Sequence, residues 1–262
     1  MSIFAALLDA PAAEEPPTIG TVHAAARAFV AAELAGRGES HGLGHSLRVR
    51  NLALAIFDAG GLDARGGAGF DARRVVELAA LLHDVCDHKY VDAATAPGAA
   101  AVARRDAFLA AHASPAEAEA CVSVIAEVSY SREAKARRRG EAPAWRALDE
   151  PARTLRHVVS DADKIDAIGP AGLRRCVEYR RESAPPGADL APAAVVADVA
   201  AHCDEKLLLL APDFVRTPAG RALAAPGHAF LARWREDARA ALDAAAAASG
   251  PRPGLAAPEV CA

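Results

Sequence analysis

The sequence predicts an all-α fold, a single compact helical bundle, and three observations carry that expectation. Aromatic residues are only 5% of the 262, and much of the 52% hydrophobic content is alanine. That balance favours packed helices over sheets. No run of alternating β-branched residues occurs, and apolar positions instead recur at helical spacing in segment after segment.

Taken in order, the first helix is expected over Thr21 to Ala35, with Thr21 as its N-cap and Val22, Ala26, Phe29, Val30 and Leu34 at helical spacing. Gly36 to Gly44 reads as a connector carrying His41. A second helix follows over Leu43 to Asp58, with Leu47, Val49, Leu52 and Ile56 inward. Gly60 to Gly69 is glycine-rich and reads as a loop. Asp71 is placed to cap the third helix, whose apolar run ends in LAALLHDVCDHK, Leu78 to Lys89. After a connector to Pro97, Gly98 to His112 is expected as an exposed helix with a basic face. Ser114-Pro115-Ala116-Glu117 then opens another that runs to about Val128, with a serine cap, a proline at the first position and a glutamate at the third.

Ser131 to Trp145 reads as a polar insertion bearing Arg137-Arg138-Arg139. Pro151 to Ile168 is the next helix, stopped by Gly169-Pro170. Leu173 to Arg181 and Pro192 to Leu210 follow. Thr217-Pro218 starts a short helix, and Ala229 to Ala248 forms the last. One domain over residues 19–248 is expected, flanked by flexible tails at 1–18 and 249–262, with no internal repeat.

Charge and cysteine usage narrow the function classes. A net charge of −4 and a pI near 6.1 give no global preference for nucleic acid or anionic membrane. Five cysteines without a CxxC pair argue against a zinc knuckle or a redox motif. Buried, reduced cysteines are expected, with Cys86 as a redox-sensitive exception. The N-terminus lacks a basic region and reads as a tail rather than a signal peptide. No run of about 18 apolar residues suggests a membrane span, so a cytoplasmic protein is the expectation.

The stretch at Leu78 to Lys89 sets the functional question. It places His83 and Asp84 at the end of an apolar helix, where unpaired polar groups cost several kcal/mol, of order 2–7 each. A divalent metal would offset that cost. His45 near the start of the second helix and Asp161, Asp163 and Asp166 in VVSDADKIDAIG put further imidazole and carboxylate groups into apolar stripes. Asp161 and Asp163 are two residues apart and point about 200° apart on a helix, so only one can face a shared ion. Asp166 shares a face with Asp163 and is placed to act behind the ligands. A set of two histidines and two aspartates suits manganese, iron, cobalt, nickel or magnesium, and it lacks the thiolates of structural zinc.

These residues resemble the HD-domain metal-dependent phosphohydrolases, whose H…HD…D ligand set matches His45, His83-Asp84 and Asp163. The segment ADKI, Ala162 to Ile165, resembles the family's final-aspartate signature and so favours Asp163 over Asp161. HGLGHSLRV, LLHDVCDHK, SVIAEVSYS, SDADKIDAIG and HCDEKLLLL are similar to one bacterial-type subgroup of nucleotide pyrophosphohydrolases. Gly42 departs from the acidic residue usual in the first motif, and neither a second HD pair nor a GYP signature is present. The resemblance implies a single divalent ion on His45, His83, Asp84 and Asp163. It also implies hydrolysis of a nucleoside or deoxynucleoside triphosphate to monophosphate and pyrophosphate. The alternatives are a nucleoside 5′-monophosphate phosphatase and a non-catalytic nucleotide- or metal-binding module.

Within that reading, Asp84 and Asp87 are the catalytic carboxylates. Asp87 lies three residues after Asp84, on the same side if the helix continues, where it can position or deprotonate water. Lys89 and Lys164 are placed to neutralise phosphate oxygens, and Lys206 and Tyr130 are substrate-side residues on the subgroup pattern. The expected partner is a small nucleotide, with no membrane, and homo-oligomerisation stays open. Nucleic-acid contact through the arginine run is the less favoured reading, since short basic runs are usually solvated.

Overall fold

A computed structural model describes residues 21–37, 41–62, 69–87, 91–92 and 94–248. The tails expected at 1–18 and 249–262 lie outside the described residues, as do most of the glycine-rich loop, His88, Lys89 and Tyr90. The described chain is all helical, without strands. Ten α-helices are present among the described residues: α1 Thr21–Glu33, α2 Leu43–Ala59, α3 Ala72–Leu82, α4 Ala96–His112, α5 Pro115–Ala126, α6 Tyr130–Arg138, α7 Ala152–Asp166, α8 Pro170–Glu182, α9 Pro192–His202 and α10 Pro218–Ala248.

Helices α2, α3 and α7 form the centre of the bundle, with α5 and α10 packed beside them. Helix α3 is held from all sides, and Val75, Val76, Leu78, Ala79, Leu81 and Leu82 are fully buried. Its start is fixed by Asp71, whose carboxylate accepts from the Arg74 N–H at 3.1 Å. Helix α5 starts with the expected capping box. The Glu117 N–H donates to Ser114 Oγ, and the Ser114 N–H donates to Glu117 Oε2 at 2.8 Å. The other oxygen of Glu117 accepts from the Asp71 N–H at 2.8 Å. One buried carboxylate thus ties the starts of α3 and α5 together, a link that sequence spacing does not announce. In α2, Leu47, Val49 and Ile56 are buried, and Leu52 is half-buried against the same core.

Three expectations need correction. The segment 131–145 is not an irregular insertion: α6 and a 3₁₀ turn at Ala144–Ala147 occupy it. Glu133 and Ala134 face inward there, and the Glu133 carboxylate meets Arg156 and Arg216, which a purely polar reading could not foresee. Helix α9 ends at His202 rather than Leu210. The chain continues through two π-turns, Cys203–Leu207 and Leu210–Phe214, which rotate Cys203, Leu207, Leu210 and Phe214 into the core.

The last two expected helices are one. Helix α10 runs through Pro226, although a proline inside a helix costs about 3 kcal/mol. Its apolar face continues across the proline as Ala224, Leu231, Trp234, Ala238 and Ala241, all buried. Tertiary packing therefore outweighs the local break. The neighbouring Gly227 lets α10 cross the α7–α8 turn closely: a Cβ there would sit 3.3 Å from the Ile168 carbonyl oxygen. The facing Gly169, at φ +92°, adopts a backbone that side-chain-bearing residues rarely take, and its own Cβ would lie 3.3 Å from the Gly227 Cα.

Cys86, Cys121, Cys176 and Cys203 are free thiols. Burial raises the Cys86 pKa above that of an ordinary thiol, which lowers its thiolate fraction and works against the expected redox sensitivity. Among the described residues, no helix is long and apolar enough to cross a membrane.

Candidate metal centre

Three core helices deliver the site. His45 lies in the first turn of α2, His83 and Asp84 follow the last turn of α3, and Asp163 belongs to α7. His45, His83 and Asp84 are all buried, with donor atoms clustered closely enough to share one ion. His45 Nε2 lies 3.2 Å from His83 Nε2, 3.5 Å from Asp84 Oδ2 and 3.4 Å from Asp163 Oδ1. His83 Nε2 lies 3.4 Å from Asp84 Oδ1 and 3.7 Å from Asp163 Oδ1. Both histidine Nε2 atoms therefore sit within 3.7 Å of both expected carboxylates.

Hydrogen bonds on the far side of each ring decide what the near side presents. His83 Nδ1 donates to the Ala80 carbonyl oxygen at 2.8 Å; His45 Nδ1 lies 2.7 Å from Asp166 Oδ2 and 2.8 Å from an Arg175 guanidinium nitrogen, and the ionised carboxylate, an acceptor only, takes the ring proton. Deprotonated at Nε2, as a metal ligand must be, each ring would offer that nitrogen's lone pair beside the other's, with two carboxylates alongside. Asp84 Oδ2 is buried and has no hydrogen-bond donor. Four such atoms together, with only Asp163 partly exposed, require positive charge, from ring protons or from a metal ion. A divalent ion brings the charge of two neutral imidazoles and two carboxylates to zero, so the donor set fits such an ion.

The titration behaviour expresses the same demand. Burial pushes the His83 imidazole down, but Asp84 and Asp163 more than reverse this and raise it to about 10. The His45 imidazole is also raised, burial being outweighed by hydrogen bonds to Asp163 and Asp166. Burial would raise the Asp163 carboxyl, yet His45 and His83 hold it well below the usual carboxylate range.

Asp166 stands behind His45, as its helical register predicts. Besides the imidazole it accepts from Arg48 Nε at 2.8 Å and from an Arg175 guanidinium nitrogen at 2.6 Å. Burial alone would raise its carboxyl; the His45 hydrogen bond and Arg175 hold it far below the carboxylate range. Asp166→Asn is expected to weaken metal binding 10- to 100-fold, measured by competition with a chelator, with helical circular dichroism unchanged. Asp161 points the other way, as two residues of separation require. It is fully buried and accepts from the Arg216 N–H, the Thr217 N–H and Thr217 Oγ1 at 2.7–2.8 Å. It secures the start of α10 and stands apart from the ligand cluster.

The other expected residues take different places. Helix α3 stops at Leu82, and Asp84 to Asp87 form a turn with the Asp87 N–H donating to the Asp84 carbonyl oxygen at 3.1 Å. Asp87 is therefore reached through a turn rather than along a continued helix, and it is half-buried. Lys164 is turned inward: its ammonium donates to Ser160 Oγ and, at 3.3 and 3.4 Å, to the carbonyl oxygens of Ser160 and Val128. Burial lowers it to about 8. As placed, it presents no donor to solvent or to a substrate phosphate. Lys206 and Tyr130, far apart in sequence, come together, the ammonium 5.0 Å from the ring centroid, with Phe214 on Tyr130 at 4.8 Å. Lys89 lies outside the described residues.

Sequence reasoning missed three arginines. Arg48 and Arg175 grip Asp166, and Arg37 donates to the carbonyl oxygens of Asp84 and Val85 at 2.7 and 3.1 Å, fixing the turn that carries the ligands. Arg48 was accessible, being three residues after His45 on the same helical face. Arg37 and Arg175 come from distant segments and carry no short-range signal. In the arginine run, Arg137 is engaged within the chain, over the Phe214 ring at 4.6 Å and bonded to the Asp213 carbonyl oxygen.

No family model matches the chain, and no curated protein matches it in sequence. Solved structures do match. A Lactobacillus plantarum protein is 24% identical with a TM-score of 0.60, covering 86% of this chain and 99% of its own. YpgQ of Bacillus subtilis, solved in complex with ADP, is 23% identical with a TM-score of 0.54, covering 81% of this chain and 90% of its own. A Bacillus thuringiensis protein described as an HD-superfamily hydrolase is 22% identical with a TM-score of 0.56, covering 84% of this chain and 96% of its own. The helical scaffold that brings His45, His83-Asp84 and Asp163 together is the HD-domain fold.

Proposed function

We propose that this protein is a divalent-metal-dependent phosphohydrolase that splits nucleoside or deoxynucleoside triphosphates into monophosphate and pyrophosphate. One observation carries the hydrolase reading: two histidine Nε2 atoms and the Asp84 carboxylate share a buried cluster beside the Asp163 carboxylate, with Asp84 Oδ2 lacking any hydrogen-bond donor. A divalent ion held by His45, His83, Asp84 and Asp163 would supply Lewis-acid activation of water and of a phosphoryl oxygen. The chain's own residues do the positioning. Asp166, braced by Arg48 and Arg175, keeps the His45 proton on Nδ1, and the Ala80 carbonyl does the same for His83. Arg37 holds the backbone between the Asp84 ligand and Asp87. Asp87 accepts the proton of the attacking water.

Nucleotides are the preferred substrate class because the sequence resembles nucleotide pyrophosphohydrolases and because a neighbour of the same fold was solved with ADP. Lys206 and Lys89 offer the cationic donors for phosphate oxygens. Lys164, turned inward, contributes its charge from within α7 rather than by contact. A panel of nucleoside mono-, di- and triphosphates with manganese, cobalt or nickel tests the proposal when scored separately for phosphate and pyrophosphate. Pyrophosphate release from triphosphates is the expected result. Phosphate release from monophosphates would instead favour the phosphatase alternative. Metal binding without turnover of any nucleotide would leave only a non-catalytic module.

A further inference from the structure

Helix α7 carries two polar faces, and only one of them belongs to the metal centre. Asp163 and Asp166 lie on the first. The second is the stripe Arg156, Ser160 and Lys164, spaced four residues apart, each at most 1% exposed. Polar groups that far from water need partners inside the protein. This stripe finds them on one short segment, the connection between α5 and α6. Arg156 Nε donates to the Glu127 carbonyl oxygen at 2.7 Å, and Lys164 Nζ donates to the Val128 carbonyl oxygen at 3.4 Å. Both carbonyls follow the last turn of α5, beyond the reach of that helix's own N–H groups.

Lys164 has no donor to spare. An ammonium carries three N–H bonds, and three acceptors meet it: Ser160 Oγ, the Ser160 carbonyl oxygen at 3.3 Å and the Val128 carbonyl oxygen. Its neighbour in sequence is the expected ligand Asp163, about 100° around the helix. Its partner Val128 stands two residues before Tyr130, whose ring centroid is 5.0 Å from the Lys206 ammonium. The lysine thus ties the helix that presents Asp163 to the segment that presents Tyr130.

We propose that Lys164 is a positioning residue: it sets the rotation of α7, and with it the place of Asp163 beside the two histidines, and it does not touch substrate phosphate. The inference rests on the metal-dependent reading of the site, and it departs from the phosphate contact expected of this lysine from the sequence. Two substitutions test it. Lys164→Met keeps a buried apolar stem and removes the ammonium. Ser160→Ala removes one acceptor from a fully buried side chain, and it keeps the test decisive if the first variant folds poorly. Cobalt(II) is titrated into the full chain without nucleotide, its affinity read by chelator competition and its ligand geometry by the visible absorption of the bound ion. KM for a nucleoside triphosphate is then measured at saturating cobalt.

Lys164→Met is expected to weaken cobalt binding about tenfold, the low end for losing a group that orients a ligand. The absorption spectrum should change with it, while KM rises less than about twofold. Ser160→Ala should shift affinity and spectrum in the same direction by a smaller amount. A KM raised about tenfold, with cobalt affinity and spectrum unchanged, would overturn the proposal in favour of a phosphate contact. Lower thermal stability with affinity, spectrum and KM all unchanged would overturn it too, leaving a lysine that only stabilises the fold. A wild type that binds no cobalt would sink the metal reading and this inference with it, and that failure shows without any variant.

Discussion

Asp84→Asn is expected to leave a folded protein that no longer retains a divalent ion. Asparagine keeps the shape of the side chain but removes the charge, and it leaves His45 Nε2 and His83 Nε2 facing one another with Asp163 as the sole carboxylate between them. Metal content by elemental analysis should fall from one ion per chain to background. Nucleotide hydrolysis should fall on the order of 10³-fold or more, roughly 4 kcal/mol in the barrier. A folding readout separates site loss from misfolding. An ion at 100 times its dissociation constant stabilises the native state by about 2.7 kcal/mol, so the wild type should gain roughly 5–10 °C in Tm on metal addition. That gain should vanish in Asp84→Asn, while helical circular dichroism shows the variant still folded. His83→Ala should behave in the same way toward the metal. A variant at either position that keeps its ion and its activity would sink the assignment.

How much of this site was legible in the sequence depended on how far each signal travels along the chain. His83-Asp84 could be read because an imidazole and a carboxylate interrupt an apolar helix, and Asp163 and Asp166 because three residues of separation place them on one helical face. Asp161 could be set against Asp163 by the same periodicity, but its task could not be read: the Thr217 it binds lies 56 positions away. The helix starts at Asp71 and Ser114 were legible because capping is local. Segment 131–145 looked like a loop because its composition is polar, and only the folded chain shows that Glu133 turns inward to two arginines. The two helices expected after Thr217 are one for the opposite reason, because a proline at position 226 ordinarily breaks a helix. That local rule is correct, and the long apolar face of α10 overrides it. Lys164 was expected to face phosphate because it follows Asp163. On a helix the next residue is rotated by about 100°, and that rotation carries the ammonium to Ser160 and Val128.

The inward turn of Glu133 leads to the largest stability effect expected outside the metal centre. Arg156 is fully buried and has the Glu133 carboxylate at 2.8 Å and the Glu127 carbonyl oxygen at 2.7 Å as acceptors. Glu133→Ala removes the only carboxylate paired with Arg156 among the described residues, and it also frees Arg216. Breaking a buried ion pair from one side costs about 3–5 kcal/mol, because the remaining charge stays out of water. Urea unfolding should show that loss as a lower midpoint at an unchanged slope. Glu133→Gln, which keeps an acceptor of the same shape, should lose less. The pH dependence gives an independent check. Burial would raise the Glu133 carboxyl, but Lys164, Arg156 and Arg216 lower it to about 2, from 4.5 for an unperturbed glutamate. A carboxyl with a depressed folded-state pKa contributes stability that is fully present above pH 4.5 and is lost as pH falls toward 2. The wild-type midpoint should therefore drop across that window, and the Glu133→Gln midpoint should drop less. Equal acid sensitivity in the two proteins would show that Glu133 is not what holds α6 against α7.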